Sequence, residues 1–557
     1  MIRPLPFAIL LFAAVLHYAA AQDPTVRTLL GSVRGTTMTS RSGRTIYSFL
    51  GMRYAEPPVG ELRFKPPVPL KKGWEGVQNA TEDGPSCPQP KTFLSGPKSE
   101  DCLFINVYTT KLPEEGVSPK YPVLVYIHHG GWFIFSGQSS LTNPRYLMDE
   151  DIVFVAFNYR LGALGFLSTG DSEIPGNNGL KDQVLALEWV RDNIVFFGGD
   201  PTQVTIYGYS AGAAAVQFHM ASPRSAGLFH RVISASGSAL TPMAKTKDPM
   251  TLARKQAKLL DCPNPEVATS RRIVDCLRGK DAEEIANSIF GMRESKFGPM
   301  IGFNAVVEPD GSSDEPFLTA DVDELFQRGN FHKVPLLTGS TNNEFMLRAR
   351  EMVNNETILE DFSQNFEEIA PILFRYDIGT PETQEKTRKL KEYYFPDGIT
   401  KDSLQQITDL FTDALFLYGA DRTATLTSLS SELPVYYYQY VYRGIYGNMP
   451  NETGFEKPRG ANHLDDLIYL FYPSELFPFI ENDSPEASFS KRLVKLWTNF
   501  AKTGNPTPSE DGVDGVKWAS YTPSELEYME IGEELSMKKA LRQERVAIWK
   551  DIYRKNA

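Results

Sequence analysis

Val204-Thr-Ile-Tyr-Gly-Tyr-Ser-Ala-Gly212 is a β-branched strand that runs straight into a Gly-x-Ser-x-Gly corner. Such a corner places a serine on a strained strand-to-helix turn, and a Cβ at Gly208 or Gly212 would crowd the neighbouring strand and helix. The reading therefore projects the Ser210 hydroxyl from the end of a sheet. Ala211 opens the following helix and lends its backbone N–H to an oxyanion hole. Five residues with two free positions recur by chance in long chains. The context decides: a strand before the pattern, small helix formers from Ala211 to Val216 after it.

A nucleophile at such a corner needs an oxyanion hole, a base and an orienting acid. Upstream, Tyr121-Pro-Val-Leu-Val-Tyr-Ile127 reads as a buried strand ending in His128-His129-Gly130-Gly131-Trp132. Gly130 and Gly131 can turn their N–H groups toward a developing oxyanion that a bulkier backbone could not approach so closely. Trp132 and Phe133, directly after them, are placed to wall an acyl pocket.

The base must be one of seven histidines. His17 lies in a leader. His219 is too far along the helix after Ser210 to face back to it, His230 reads as packing at a helix end, and His332 precedes a strand at 334–338. His128 and His129 belong to the glycine loop. That leaves His463, in Arg459-Gly-Ala-Asn-His-Leu-Asp-Asp466, read as a loop entering an apolar helix. The acid should lie between serine and histidine, because the chain order in this fold is Ser, Asp or Glu, then His. Glu344 follows the short strand Val334-Pro-Leu-Leu-Thr-Gly339 and is the choice. Asp310 sits in a Pro-Asp-Gly turn that turn chemistry explains by itself.

Other blocks extend the pattern: Gly51-Met-Arg-Tyr-Ala-Glu-Pro-Pro58 with Arg63-Phe64, Ser99-Glu-Asp-Cys-Leu-Phe-Ile-Asn-Val-Tyr108, Asn158-Tyr-Arg-Leu-Gly162, Asn177-Asn-Gly-Leu-Lys-Asp-Gln183, Phe197-Gly-Gly-Asp-Pro201 and Trp497-Thr-Asn-Phe-Ala-Lys-Thr-Gly-Asn-Pro506. With them the chain resembles the type-B carboxylesterases, the cholinesterase-like branch of the α/β-hydrolases, and is most similar to their secreted insect members. The likeness covers nearly everything after the leader. It implies Ser210 as nucleophile, Glu344 as acid, His463 as base, and Gly130, Gly131 and Ala211 as oxyanion donors. It also implies Ser236, in Ser-Ala-Ser-Gly237, as a serine supporting the acid. Two positions depart from the family: His129 replaces the first glycine of a triplet, and Phe345 stands where glycine commonly follows the acid. His129 reads as a space-filling, gorge-lining imidazole in preference to a second base.

Met1–Ala21 carries Arg3, an apolar run from Leu5 to Leu16 and Ala19-Ala-Ala21, the composition of a secretory signal peptide. No later segment approaches about eighteen uninterrupted apolar residues, and the C-terminus shows neither a retention tetrapeptide nor an anchor tail. The expectation is a secreted, extracellular protein without a membrane anchor. Secretion makes disulfides the default for the four cysteines. Of the three pairings, sequence proximity and the resemblance both favour Cys87–Cys102 and Cys262–Cys276. Each such loop closure stabilises by about 3 kcal/mol on the chain-entropy model. No Cys-x-x-Cys or paired-histidine spacing suggests a metal. Glycosylation sequons fall at Asn79, Asn355, Asn451 and Asn482, the last weakened by Pro485.

Net charge is −12, from 57 basic and 69 acidic residues, with no basic stripe. Nucleic acid is thereby an unlikely partner. Length alone suggests several domains, but a triad spanning 210 to 463 must meet at one site, and no linker or repeat divides the chain. The expected organisation is a signal peptide over 1–21 and one α/β-hydrolase domain over 22–557: a large, mostly parallel central sheet flanked by helices. Strands are expected near 122–128, 152–158, 204–208, 232–236, 334–338 and 435–440. Helical stretches including 248–260, 280–290 and 356–420 form caps and a C-terminal subdomain around a gorge, and 486–502 reads as a late amphipathic helix packing on the core.

The constellation implies a serine carboxylesterase acting on small hydrophobic esters without metal or organic cofactor. Residues 88–101 hold one aromatic, Phe93, and no tryptophan, so the aromatic platform of a cholinesterase is not expected there. Juvenile hormone hydrolysis is the nearest alternative, although its enzymes usually carry Gln before the nucleophile where this chain has Tyr209. A catalytically silent adhesion homologue would usually lack a triad member or carry an anchor. Oligomeric state is not legible.

Overall fold

Alternate residues of the central strands point to opposite faces, and here both faces are apolar. Val204 and Ile206 join one core, Tyr207 and Tyr209 the other. Val123, Val125 and Ile127 likewise face one side, with Leu124 and Tyr126 on the reverse. Strands buried on both faces read as continuous apolar runs, the signature of a parallel sheet covered by helices on each side. The computed structural model bears this out. It describes residues 23–91, 96–114, 117–292, 297, 302–313, 315–376, 379–448 and 460–554. The leader and the Asn451 sequon lie outside the described residues.

In chain order the strands are β1 (Thr25–Arg27), β2 (Ser32–Arg34), β3 (Thr36–Thr39), β4 (Thr45–Arg53), β5 (Val77–Asn79), β6 (Phe104–Thr109), β7 (Tyr121–Ile127), β8 (Val153–Phe157), β9 (Gly199–Tyr209), β10 (Arg231–Ala235), β11 (Leu336–Thr341), β12 (Val435–Tyr440), β13 (Glu527–Ile531) and β14 (Leu535–Lys539). β1, β2 and β5 form a small separate sheet. The other eleven form one sheet in the order β14-β13-β12-β11-β10-β9-β7-β8-β6-β4-β3. From β13 to β8 all neighbours are parallel, while β14 at one end and β6, β4 and β3 at the other run antiparallel. This is an α/β-hydrolase sheet, with β9 near its middle.

One face is covered by helices Asn178–Asn193 and Ala211–Ala221, the other by Glu486–Thr503 through buried Leu493, Trp497 and Phe500. The late amphipathic helix thus packs on the core as expected. A third cluster, around Phe362, Phe366, Phe374, Phe411 and Trp549, sits among the helices that follow β11. Both disulfides are formed, Cys87–Cys102 and Cys262–Cys276.

Several boundaries differ from the sequence reading: β9 begins at Gly199 rather than 204, and the stretch 280–290 is two helices, Ala282–Asn287 and Ile289–Met292. β11 starts at Leu336 rather than at 334, because Pro335 has no N–H to give to the ladder; it continues to Thr341 opposite Tyr440. The stretch 356–420 is broken into Glu356–Gln364, Phe366–Phe374, Pro381–Tyr394 and Leu404–Thr412. Thr380 and Pro381 start a new helix there by capping it. A π-helical turn, Asp413–Leu417, then leads into helix Tyr418–Ser430. Finally, His463 leads into a short 3-10 turn, Leu467–Tyr469, not a full helix.

The family blocks brace this frame. Arg160 donates to Asp182 through its backbone N–H and guanidinium, all buried. Lys181 pairs with buried Glu308. The Asn158 side chain accepts from Gly137 N–H and donates to the Pro85 and Cys102 carbonyls, tying the first disulfide to β8.

Candidate active site

Ser210 lies at the turn between β9 and helix Ala211–Ala221, with φ 56° and ψ −118°, a strained conformation for a residue with a side chain. The strain is imposed by close packing. A Cβ at Gly208 would stand 1.9 Å from the Gly212 carbonyl oxygen, and one at Gly212 2.1 Å from that of Ile127. The Ser210 N–H donates to the Ala235 carbonyl at 2.9 Å, anchoring the corner to β10.

The loop after β7 has the same character. Gly130 has φ 110°, and a Cβ there would meet the Ile134 carbonyl oxygen at 2.1 Å. Ser210, Ala211, Gly130, Gly131, Trp132, Phe133, Ser236 and His463 line one cavity of about 310 Å³. The π-helical turn contributes Leu415 and Phe416 to the same wall; such widened turns recur at functional sites.

Glu344 is buried beside the end of β11. Its Oε1 accepts the Thr341 N–H at 2.8 Å, and its Oε2 lies 2.5 Å from His463 Nδ1. The two loops are stitched by backbone: Asn343 N–H donates to the Ala461 carbonyl at 3.0 Å, and the Asn342 side chain accepts the Ala461 N–H at 2.8 Å. The His463 ring is gripped between Tyr209 and Phe416, at centroid distances of 5.1 and 4.9 Å. Its neighbour Leu464 donates its N–H to the Tyr209 hydroxyl at 2.9 Å.

The remaining described histidines are engaged elsewhere. His219 bonds to Ser225 and Gln183, and burial drives its pKa down to about 3. His332 donates to the Ser222 carbonyl, and His230 accepts the Val204 N–H. His128 donates from Nδ1 to the His129 carbonyl and stacks on Tyr159; burial lowers its pKa to about 4. His129 is 2.9 Å from the Tyr126 hydroxyl and packs on Phe135. Burial holds it well below the ordinary histidine range, so it is a neutral, wall-forming ring.

A second cavity of about 530 Å³, lined by Leu467, Ile468, Phe471, Leu476 and Phe477 among others, adjoins the first. His129, Ile134, Phe135, Phe345, His463 and Leu464 line both, forming a septum that includes the candidate base. Phe345 needs no glycine: its φ of −115° suits any residue, and its ring stacks on Phe411 at 5.2 Å. Asp310 stays in its turn, where the Pro309 carbonyl accepts the Ser312 N–H.

The supporting role implied for Ser236 is not realised as a hydrogen bond to the acid. Its Oγ is buried beside the Tyr209 phenol, while Thr341 supplies the donor to Glu344. Sequence reasoning also passed over Asp466. Burial pushes its carboxyl up to about 8, and the neighbouring Glu344 and Asp465 charges act in the same direction. Its position three residues after His463 was the available signal.

Asn79, Asn355 and Asn482 are exposed. Asn355 caps the helix Glu356–Gln364, and Asn482 donates to the Arg41 carbonyl at 2.7 Å. Among the described residues no helix is long and apolar enough to cross a membrane.

This combination of sheet, strained serine corner and Glu–His pair defines an α/β-hydrolase. Residues 22–549 match the family model described as "Carboxylesterase family". The chain is 37% identical to juvenile hormone esterase of Tribolium castaneum over 92% of its length and 88% of that protein's. It is 35% identical to venom carboxylesterase-6 of Apis mellifera, over 93% and 92% respectively. The crystal structure of juvenile hormone esterase from Manduca sexta, with OTFP covalently attached, superposes with a TM-score of 0.83 at 30% identity, covering 95% of this chain and 99% of that one. The chain belongs to the carboxylesterase family and is a carboxylic ester hydrolase.

Proposed function

We propose that this protein is a secreted serine carboxylesterase that hydrolyses small hydrophobic carboxylic esters through an acyl-enzyme on Ser210. The observation that carries the reading is the 2.5 Å contact between His463 Nδ1 and Glu344 Oε2 at the edge of the cavity that holds Ser210.

Glu344 keeps the Nδ1–H tautomer of His463, leaving Nε2 free to take the Ser210 proton as Oγ attacks the ester carbonyl. The carbonyl electrons move to oxygen, where the N–H groups of Gly130, Gly131 and Ala211 stabilise the charge. One such donor is worth roughly 10²–10³ in rate. Collapse of the adduct breaks the C–O bond, and the alcohol leaves with the proton from His463. Water, deprotonated by His463, then releases the acid and restores the Ser210 hydroxyl. The smaller cavity, holding the oxyanion donors with Trp132 and Phe133, suits the acyl group. The larger lies across the histidine, on the side toward which the alcohol departs. The chemistry uses no metal or organic cofactor.

The leader over 1–21 and the two disulfides support export, with a mature chain from residue 22, a single hydrolase domain and glycans on exposed sequons. Juvenile hormone is the second substrate reading, favoured by the two juvenile hormone esterases among the similar proteins.

The purified protein is expected to hydrolyse short-chain p-nitrophenyl esters, with activity abolished in Ser210→Ala and by an organophosphate. Glu344→Gln should lower kcat by about 10³–10⁴, as expected when the base loses its orienting acid. A folded, disulfide-bonded protein inert toward these esters would refute the reading.

A further inference from the structure

Among the described residues that line the smaller cavity, one carries a side-chain amide, and the hydrolytic chemistry does not use it. Asn304 is 1% exposed and lines this cavity, yet neither its Oδ1 nor its Nδ2 has a hydrogen-bond partner. An amide offers two donors and an acceptor, and burying all of them unpaired is unfavourable. Buried polar groups in folded proteins are ordinarily paired, so an orphan calls for a reason.

The amide is not a misplaced surface group. The backbone that follows it is pinned twice: Thr246 N–H donates to the Ala305 carbonyl at 2.9 Å, and Val306 N–H to the Asn177 side chain at 3.0 Å. Of the other polar side chains on this wall, Ser236 sits beside the Tyr209 phenol, while Ser238 and Thr241 are satisfied within the protein. Ser238 bonds to Gln217 and Thr423, and Thr241 donates to the Ser238 carbonyl. Met243, Ala244 and Leu415 supply apolar lining.

We propose that Asn304 is a specificity-determining residue that reads an oxygen function, a hydroxyl or ether, carried on the acyl part of the ester. The proposal rests on the serine-esterase reading and on the acyl group occupying the smaller cavity. A purely hydrocarbon acyl chain leaves the amide unpaired in the complex. An oxygenated chain pairs it, and sites built to pair a polar group discriminate strongly against analogues that lack it.

The test compares p-nitrophenyl hexanoate with its analogues in which oxygen replaces the methylene at chain position 3, 4 or 5. Wild type and Asn304→Leu are assayed for kcat/KM on each, and the melting temperature of both is recorded. At one position the ether-to-methylene ratio of kcat/KM is expected to be at least fivefold higher in wild type than in Asn304→Leu. The variant should melt no lower than wild type, because an unpaired buried amide has been replaced by an apolar group of similar size. Identical ratios in the two proteins, with the esters turned over, would overturn the role of Asn304 and leave the esterase reading standing. A destabilised variant with unchanged ratios would assign the amide a structural role. Failure of wild type to hydrolyse any of the four esters would remove the esterase reading and this proposal together.

Discussion

The hydroxyl of Tyr209, the residue before the candidate nucleophile, accepts the N–H of Leu464, the residue after the candidate base, at 2.9 Å. Strand β9 therefore positions both ends of the Ser210–His463 pair: the serine through its own strained corner, the histidine through a phenol one residue upstream. Leu464 has φ 75°, so the bond also holds an otherwise unfavourable backbone turn in the base loop.

Tyr209→Phe keeps the ring against His463 and removes the hydroxyl that accepts the Leu464 N–H. Loss of one such bond is worth about 1 kcal/mol in stability. Small misplacements of catalytic groups are costly, so kcat on p-nitrophenyl acetate should fall by about tenfold while KM moves little. Steady-state kinetics with a thermal melt check both parts, and an unchanged kcat would show that the bond does not position the base.

Phe345→Gly restores the residue common in the family, and the geometry forecasts harm. The φ of −115° gives glycine no conformational advantage. The stack on Phe411 and the contact with Phe416 are lost. Phe345 is partly buried at the edge of its cluster, so deleting its ring costs less than the about 3–5 kcal/mol of a fully buried aromatic. Urea unfolding should show that loss, and both cavities should become less selective for acyl and alcohol size.

Asp182→Asn leaves the Arg160 guanidinium buried without its carboxylate. Breaking a buried pair by removing one partner destabilises by about 3–5 kcal/mol. The change lies in the frame below the site, so its signature should be a lower melting temperature or reduced yield of folded protein. A variant as stable as wild type would mean that the pair contributes little.

Asp466 gives a pH prediction with a definite sign. Its carboxyl titrates near 8 in the folded protein and near 3.8 in the unfolded chain. Between these values the native state holds the extra proton, so this group's contribution to stability falls as pH rises from about 4 to about 8. Asp466→Asn removes that dependence. The melting temperature of the variant relative to wild type should therefore climb by several degrees between pH 4 and pH 8, then level off. A difference that is flat across this range would show that Asp466 is ionised in the fold.

The elbow, the pairing of Glu344 with His463 and the cysteine partners were legible because each is local or set by chain order. Two glycines around a serine after a strand specify a corner, and elimination leaves His463 among seven histidines. What the sequence concealed is long-range. Nothing near Tyr209 indicates that its hydroxyl meets Leu464, 255 residues away. β4 was passed over because its register shifts between Phe49 and Met52, which interrupts the alternation that marks a strand. The donor to Glu344 was hidden for a similar reason: it is a backbone group, Thr341 N–H, and backbone donors leave no trace in residue identity.

The Glu344 and His463 loops are joined by the Asn343 N–H to the Ala461 carbonyl, by the Ala461 N–H to the Asn342 side chain, and by a parallel bridge between Asn343 and Asn462. Opening either loop breaks bonds that hold the other, so the opening of the Glu344 and His463 loops is coupled. In amide hydrogen exchange the two loops would report one opening event with a common free energy, distinct from the elbow helix, which belongs to the deeper core. The dyad is in that sense a preassembled cassette. The bonds that join the two loops involve neither Ser210 nor the helix that follows it.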